Sequence, residues 1–315
     1  MEKILVTPRS LSAGGHPSLE ALTAAGYEVV FASPGKQPTE QQLLDVLPDC
    51  VGYLAGVEPV SARVLEAATK LKAISRNGTG ISNIDLAAAE ALGIRIFRAE
   101  GANARGVAEL TIGLILSLVR SVPFSDAAMK GEGWQRRKGI ELAGRTLGLI
   151  GCGRIGQLVA RFALAFDMNV LACDPYPDMA FAPSKAFVWR GRDEVLAGSD
   201  VVSLHCPPPE DGSPLIDAAD IARMKQGAYL INTARGALLD QDAVLAGLEG
   251  GRIAGLAVDA FDPEPPTDWR LARHPRVIAT PHIGGYTTES VGRAATAAVE
   301  NLLAALIAEP PQTPL

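Results

Sequence analysis

The sequence is poor in the features that would tie it to a metal, a membrane or a polyanion. Its 315 residues hold only four cysteines, Cys50, Cys152, Cys173 and Cys206, none of them in CxxC or another metal-type spacing. A chain of this length needs no disulfide to hold a core together, so reduced thiols, a cytoplasmic setting and no metal are expected. Lys and Arg total 29 against 35 Asp and Glu, a net charge of -6. That balance lacks the basic footprint of a protein bound to nucleic acid or to an anionic membrane surface. No run reaches the ~20 apolar residues of a membrane span. The opening Met1-Glu2-Lys3-Ile4-Leu5-Val6-Thr7-Pro8 has a three-residue apolar run, too short for the core of a signal peptide. Low-complexity linkers and internal repeats are absent as well.

What is present is a hydrophobic content of 48% and a regular alternation of short β-rich runs with longer helical patterns. Single cores stop growing near roughly 250 to 300 residues, so 315 residues predict two domains. The alternation is that of parallel sheets covered by helices. The fold class is therefore α/β, with two doubly wound parallel-sheet domains. A first series of strands is expected at 4–6, 29–31, 53–54, 73–75 and 94–97. A second is expected at 146–151, 170–173, 201–205, 229–233, 256–259 and 277–280. Between them a helix over about 103–120, largely apolar after Glu109, suits a segment packed between domains. The last helix, about 288–308, is expected to return to the first series, which makes that domain discontinuous. Two chain crossings would leave a cleft, where small ligands usually bind.

Strand Thr146 to Ile150 runs into Gly151-Cys152-Gly153-Arg154-Ile155-Gly156, and an amphipathic helix pattern follows. This is G-x-G-x-x-G in a strand-turn-helix setting: Gly151 for the tight turn, Gly153 for close approach of a pyrophosphate, Gly156 for helix packing. The N-H groups at the helix start, around Arg154 and Ile155, suit phosphates. The next strand ends at Asp174, 18 positions after Gly156, where an acid can accept hydrogen bonds from the adenosine ribose. A carboxylate there repels a 2'-phosphate, so the cofactor is read as NAD. Arg190 and Arg192 are the two cations that could reverse that choice.

Three more segments lie at strand ends: Asn232-Thr233-Ala234-Arg235-Gly236, Val258-Asp259-Ala260-Phe261-Asp262-Pro263-Glu264-Pro265 and Thr280-Pro281-His282-Ile283-Gly284-Gly285. Together with the Gly151 turn they resemble the D-isomer-specific 2-hydroxyacid dehydrogenase family, which includes phosphoglycerate, glycerate and formate dehydrogenases. The resemblance covers nearly the whole chain. It implies a Rossmann NAD-binding domain over 102–283 and a flavodoxin-like substrate domain from 1–101 and 284–315, with hinges near Ala102 and Gly284.

The same resemblance implies roles for single residues. Arg235 would hold the substrate carboxylate and 2-oxo oxygen with its fork of donors. His282 would be the acid and base at that oxygen, and Glu264, held between Pro263 and Pro265, would bond the imidazole and stabilise its charged form. Asp259 would anchor the nicotinamide carboxamide. His205, Cys206 and Pro207 would run along the nicotinamide ribose, and Thr233, Ala234, His282 and Gly284 would complete the cofactor set. Cys206 reads as a packing residue, since no base is implied beside it. Asn77, Gly78 and Thr79 match the substrate loop whose backbone N-H groups bind the carboxylate. Thr79 and Ser82 depart from the usual loop pattern, which leaves the identity of the acid open.

The expected partner is a small 2-oxo or 2-hydroxy acid such as 3-phosphoglycerate, glycerate or hydroxypyruvate. Family likeness further implies a homodimer, formed through the apolar helix and its extension from Phe124 to Trp134. Arg136, Arg137 and Lys138 beside that extension read as a solvated face rather than a substrate contact. The sequence ends at Leu315 without the appended regulatory domain of some phosphoglycerate dehydrogenases, so control of that kind is not expected. Two other readings stay open: an NAD-sensing, corepressor-like binding protein, and a formate- or phosphite-type dehydrogenase of the same fold.

Overall fold

A computed structural model describes residues 1–307. Residue Ala308, the last assigned to the closing helix from sequence, and the residues after it lie outside the described range. The chain divides into two compact units, Met1–Asn103 with Thr288–Leu315, and Ala104–Thr287.

The first unit is built on a five-stranded parallel sheet: β1 (Lys3–Val6), β2 (Glu28–Val30), β3 (Cys50–Ala55), β4 (Ala73–Arg76) and β5 (Arg95–Arg98). Their spatial order is β2-β1-β3-β4-β5, the flavodoxin-like winding, with the direction of travel reversing between β1 and β3. All six residues of β3 are buried, as a central parallel strand covered on both faces requires. Helix Thr288–Ile307 closes the same unit. Its Ala295, Ala298, Val299 and Leu302 are buried with Ile4, Val6 and Leu54 of the sheet. By length and mean hydropathy alone this helix could cross a membrane, although Glu289, Arg293 and Glu300 interrupt its apolar residues. Its small buried residues show why a core helix reaches that hydropathy.

The second unit holds seven parallel strands: β6 (Thr146–Ile150), β7 (Asn169–Cys173), β8 (Phe187–Trp189), β9 (Val201–Leu204), β10 (Ala228–Asn232), β11 (Ile253–Val258) and β12 (Val277–Ala279). The order β12-β11-β10-β9-β6-β7-β8 is the Rossmann winding, with its switch point between β6 and β9. The sequence gives no sign of β8. It is a three-residue edge strand, held by edge-to-face contacts of Phe187 with Phe181 and with Trp189 at 5.2 Å each. Helix Ala104–Val119 buries Thr111, Ile115 and Leu118 in this unit, in one core with Leu147, Leu149, Val159 and Ala160.

Because every strand of a unit points the same way, every loop leaving a strand's carboxyl end emerges at one edge of the sheet. The candidate residues of the second unit all follow β6, β7, β9, β10, β11 or β12 at that edge.

Candidate active site

β6 delivers Gly151 into the left-handed region, φ 89°, which glycine adopts without steric cost. A Cβ there would stand 2.6 Å from the backbone of His205, so the turn is wedged against the chain leaving β9. At Gly156 a Cβ would collide with the Gly151 carbonyl, which only a helix packed close to the turn produces. Gly153 differs from both, since a Cβ would meet nothing within 4 Å. It caps helix Arg154–Ala165, whose first-turn N-H groups have no intrahelical acceptor. An open glycine at the start of a helix is what a pyrophosphate needs in order to reach backbone donors.

Asp174 sits beside that turn. Its Oδ2 accepts from the Cys152 N-H at 2.8 Å and its Oδ1 from the Tyr176 N-H at 2.9 Å. The carboxylate is thereby aimed by two backbone bonds and keeps lone pairs for a ribose. Both cations that could have favoured a 2'-phosphate are engaged elsewhere. Arg192 bonds the buried Asp220 at 2.6 Å. Arg190 bonds its neighbour's carbonyl at 3.0 Å and lies 3.6 Å from Glu194. The donor set therefore fits NAD.

The residues expected along the nicotinamide are mostly tied into the fold. His205 places Nε2 2.9 Å from Ser203 Oγ, while its Nδ1 is buried without a partner. Burial pushes its pKa down to about 4, which keeps the ring neutral. It is the His205 backbone, rather than the ring, that abuts Gly151. Burial pushes the thiols of Cys206 and Cys173 up to about 11 and that of Cys152 up to about 12, so all three are packing groups and poor nucleophiles. Thr111 donates to the Val107 carbonyl at 2.8 Å, so the 2.9 Å contact between Thr111 and Thr233 uses the proton of Thr233. Pro207 is exposed just past β9.

After β10, Asn232 brackets the turn: its Oδ1 accepts from the Ala234 N-H at 3.1 Å and its Nδ2 donates to the Arg235 carbonyl at 2.7 Å. The bracket holds up Arg235, which is exposed, donates to Ala234 O at 2.7 Å and pairs with no carboxylate among the described residues. Next to it, a Cβ on Gly236 would collide with the backbone of Phe261 and Asp262. The arginine turn and the loop carrying Glu264 are thus packed backbone to backbone. Glu264 accepts from the Phe261 N-H at 3.0 Å, and both its oxygens lie 2.8 Å from His282 Nδ1.

Asp259, expected at the nicotinamide carboxamide, is tied to the turn of His282. Its carboxylate is buried and filled by the loop of His282: Oδ1 accepts from Thr280 Oγ1 at 2.6 Å and from the Ile283 N-H at 2.8 Å, and Oδ2 from the Gly284 N-H at 2.8 Å. Its carbonyl accepts from the His282 N-H at 2.8 Å. His282 has φ 53°, a left-handed conformation that non-glycine residues hold only when their surroundings impose it. Asp259 imposes it. Thr280 and Asn232, both silent in the sequence, belong to this machinery.

In the first unit, Asn77 to Thr79 follow β4. Gly78 has φ 150°, and the Arg76 guanidinium lies against it while donating to the Asn77 carbonyl. Thr79 Oγ1 donates to Asn103 Oδ1 at 3.1 Å. Of the basic stretch before β6, Arg137 stands 3.3 Å over the Phe124 ring, and Arg136, Arg137 and Lys138 are all exposed.

Comparison with known proteins agrees with this arrangement. Residues 112–284 match the model of the NAD binding domain of the D-isomer specific 2-hydroxyacid dehydrogenases. D-3-phosphoglycerate dehydrogenase of Mycobacterium tuberculosis is 37% identical over 275 residues, covering 86% of this chain and 52% of that protein. Hydroxypyruvate reductase of Thermotoga maritima is also 37% identical, over 84% of this chain and 87% of that one. The structure of D-lactate dehydrogenase from Aquifex aeolicus, complexed with NAD and lactic acid, superposes with a TM-score of 0.81 at 30% identity, covering 96% of this chain and 95% of that one. The chain spans about half the length of the phosphoglycerate dehydrogenases that it matches. The Rossmann winding, the open glycine before its helix and the paired Glu264 and His282 thus coincide with a match over 112–284, and the chain belongs to the D-isomer specific 2-hydroxyacid dehydrogenase family.

Proposed function

We propose that the chain is an NAD-dependent oxidoreductase that interconverts a small 2-oxo acid and its 2-hydroxy acid. The observation that carries this reading is His282 Nδ1 at 2.8 Å from both oxygens of Glu264. NADH, when bound, supplies the hydride that reduces C2, and NAD accepts it in the reverse direction. In the reduction one hydride reaches C2, one proton reaches the oxygen, and the carbonyl becomes an alcohol.

The protein's own residues handle the proton and the charge. Glu264 holds the proton of Nδ1, which fixes the tautomer and leaves Nε2 as the atom that exchanges a proton with the substrate oxygen. As the imidazole charges, the carboxylate stabilises it. Arg235, which pairs with no carboxylate among the described residues, takes the substrate carboxylate; in the first unit the loop 77–79 keeps the Thr79 N-H for an anion, the Asn77 and Gly78 N-H groups being bonded to the Ala55 and Arg76 carbonyls. Gly151, Gly153, Arg154, Ile155 and Gly156 with Asp174 hold the adenosine half of NAD. Asp259 and Gly284 set the turn at His282 next to the nicotinamide. In this scheme 102–283 is the cofactor domain, and 1–101 with 284–315 is the substrate domain.

The working form is proposed to be a homodimer. Helix Val122–Lys130 buries none of its residues in the chain, and Trp134 beyond it is 79% exposed, an apolar face suited to a second copy. The four free thiols suit the reducing cytoplasm. A turnover screen with NADH over small 2-oxo acids, and with NAD over formate and phosphite, tests the proposal. Oxidation of formate or phosphite alone would overturn it, as would NAD binding without any turnover.

A further inference from the structure

In the first unit, the helix Thr288–Ile307 meets the edge strand β5 around a cavity of about 450 Å³, lined by Ile96, Phe97, Arg98, Glu100, Ala297 and Asn301. That volume is in the range of small-molecule sites. The helix turns Arg293, Ala297 and Asn301 to one side at a spacing of four residues. The outer two reach across to the other wall: Asn301 Nδ2 donates to the Arg98 carbonyl at 3.2 Å, and Arg293 Nε to the Ala102 carbonyl at 3.0 Å. Between these two ties Ala297 offers only a methyl group, and the space is left open.

The floor of the cavity is apolar. Phe97 packs on the core that the helix shares with the sheet, and Ala297 on the small cluster of Ala99, Ala102 and Ala294. Its rim carries one charge of each sign. Arg98 donates from Nε at 2.8 Å and lies with Nη2 at 2.6 Å from the same oxygen of Glu100, the two side chains being 47% and 44% exposed. An ion pair so open to water is weak and leaves both charges to be shared with a ligand. The strand adds a donor: the Arg95 N-H bonds the Lys72 carbonyl, so the next residue, Ile96, turns its N-H to the open edge. A lone carboxylate arriving here would meet Glu100 as well as Arg98, and a lone ammonium would meet Arg98 as well as Glu100. A molecule carrying both groups finds a partner for each.

Both walls of the cavity lead to the places where the chain changes unit. β5 runs on to Asn103, the last residue before the second unit, and the helix begins at Thr288, where the chain returns. A ligand that joins the walls therefore acts on both connections. We propose that the cavity is an effector site for an α-amino acid with an apolar side chain: carboxylate on Arg98 and the Ile96 N-H, ammonium on Glu100, side chain over Phe97 and Ala297. Its effect on turnover rests on the hydride-transfer reading above; its binding does not.

Calorimetry on the full chain with leucine, glycine, isocaproate and isoamylamine tests the site, since the last two each keep one charge of leucine and glycine lacks the side chain. Leucine should bind at least about tenfold more tightly than any of the three, the loss expected when a bond to a charged group is removed. Arg98→Gln should weaken leucine by about tenfold. Ala297→Leu fills the space and should abolish leucine binding with Tm retained. Failure of leucine to bind, equally tight binding of isocaproate, or leucine binding that survives Ala297→Leu overturns the site, the last because the ligand then sits elsewhere, for example at Arg235. If thermal melts show Ala297→Leu unfolded, Arg98→Gln decides, and an unmoved affinity in it overturns the site. With NADH and a 2-oxo acid that turns over, saturating leucine should change kcat/KM by about fivefold or more in the wild type and leave Ala297→Leu unaffected. Tight binding with unchanged kcat/KM overturns the effector role. Absence of turnover with every 2-oxo acid refutes the hydride-transfer reading instead and leaves the calorimetric test standing.

Discussion

The hydroxyl of Thr280 donates to the buried Oδ1 of Asp259 at 2.6 Å, and that bond spans the turn on which His282 stands. Since His282 is held at φ 53°, a conformation costing on the order of 1–3 kcal/mol, the turn needs its ties. Thr280→Val removes one donor and keeps the shape. It should lower stability by about 1 kcal/mol and reduce kcat more than it changes NADH affinity, whereas Thr280→Ser should restore both. Chemical denaturation and steady-state kinetics with NADH measure the two effects. A Thr280→Val protein with normal kcat would remove Thr280 from the positioning of His282.

Glu264 is the partner of the acid and base in the proposed reaction, and its charge separates two roles. Glu264→Gln keeps an oxygen for the Phe261 N-H and for Nδ1, so the turn should survive. What is lost is the charge that stabilises the imidazolium, and kcat for 2-oxo acid reduction should fall by about 10- to 100-fold. Initial rates with saturating NADH provide the measurement; a folded Glu264→Gln protein with normal kcat would assign Glu264 a purely structural part.

Asp174 should decide between the two nicotinamide cofactors. Asp174→Ala leaves the Cys152 and Tyr176 N-H groups without their acceptor and removes the bond to the ribose. NADH affinity should fall about tenfold or more, since bonds to charged groups contribute about 1.5–3 kcal/mol. Discrimination against NADPH should narrow, because the repelling charge is gone. Fluorescence titration with both cofactors reads the outcome, and equal affinities before and after the change would refute the role.

These tests fall on residues that were unequally legible in the sequence. The glycine turn could be read because its requirements are local: a strand, a left-handed residue and a helix start within a few positions. Arg235, Glu264 and His282 carry no such local requirement, and their roles came only from the resemblance that their frames carry. The expectation for Asp259 came from the same resemblance, and its bonds to Thr280, Ile283 and Gly284 could not be read locally because they cross more than twenty positions. Glu58 carries no signal in the sequence, since its burial and its bonds to Thr7 and Tyr53 depend on β1 and β3 coming together. β8 escaped because three residues carry too little periodicity, and its place depends on Phe181 packing from outside the strand.

Two glycines of the turn, Gly151 and Gly153, should separate folding from binding. Gly151→Ala forces a Cβ into a left-handed residue 2.6 Å from the His205 backbone, so a loss of at least about 2–3 kcal/mol is expected. Gly153→Ala meets nothing within 4 Å and should leave Tm nearly unchanged while NADH binding is lost, because the methyl occupies the face a pyrophosphate approaches. Thermal melts and NADH titration on the two variants test this together. A stable Gly153→Ala protein that binds NADH normally would move the phosphates away from this turn.

His205 links the same turn to pH. Burial lowers its pKa from the ordinary 6.5 to about 4, so between those values the unfolded chain takes up a proton that the folded chain refuses. The folded state binds fewer protons, and by linkage stability must decline as pH falls through that window. Above pH 6.5 the residue contributes no slope, and below about 4 the loss is complete. His205→Gln, close in size and able to bond Ser203 without titrating, should flatten the decline between pH 6.5 and 4 relative to wild type. Urea melts at several pH values supply the comparison. Parallel pH curves for the two proteins would show that the ring is not protected from protonation.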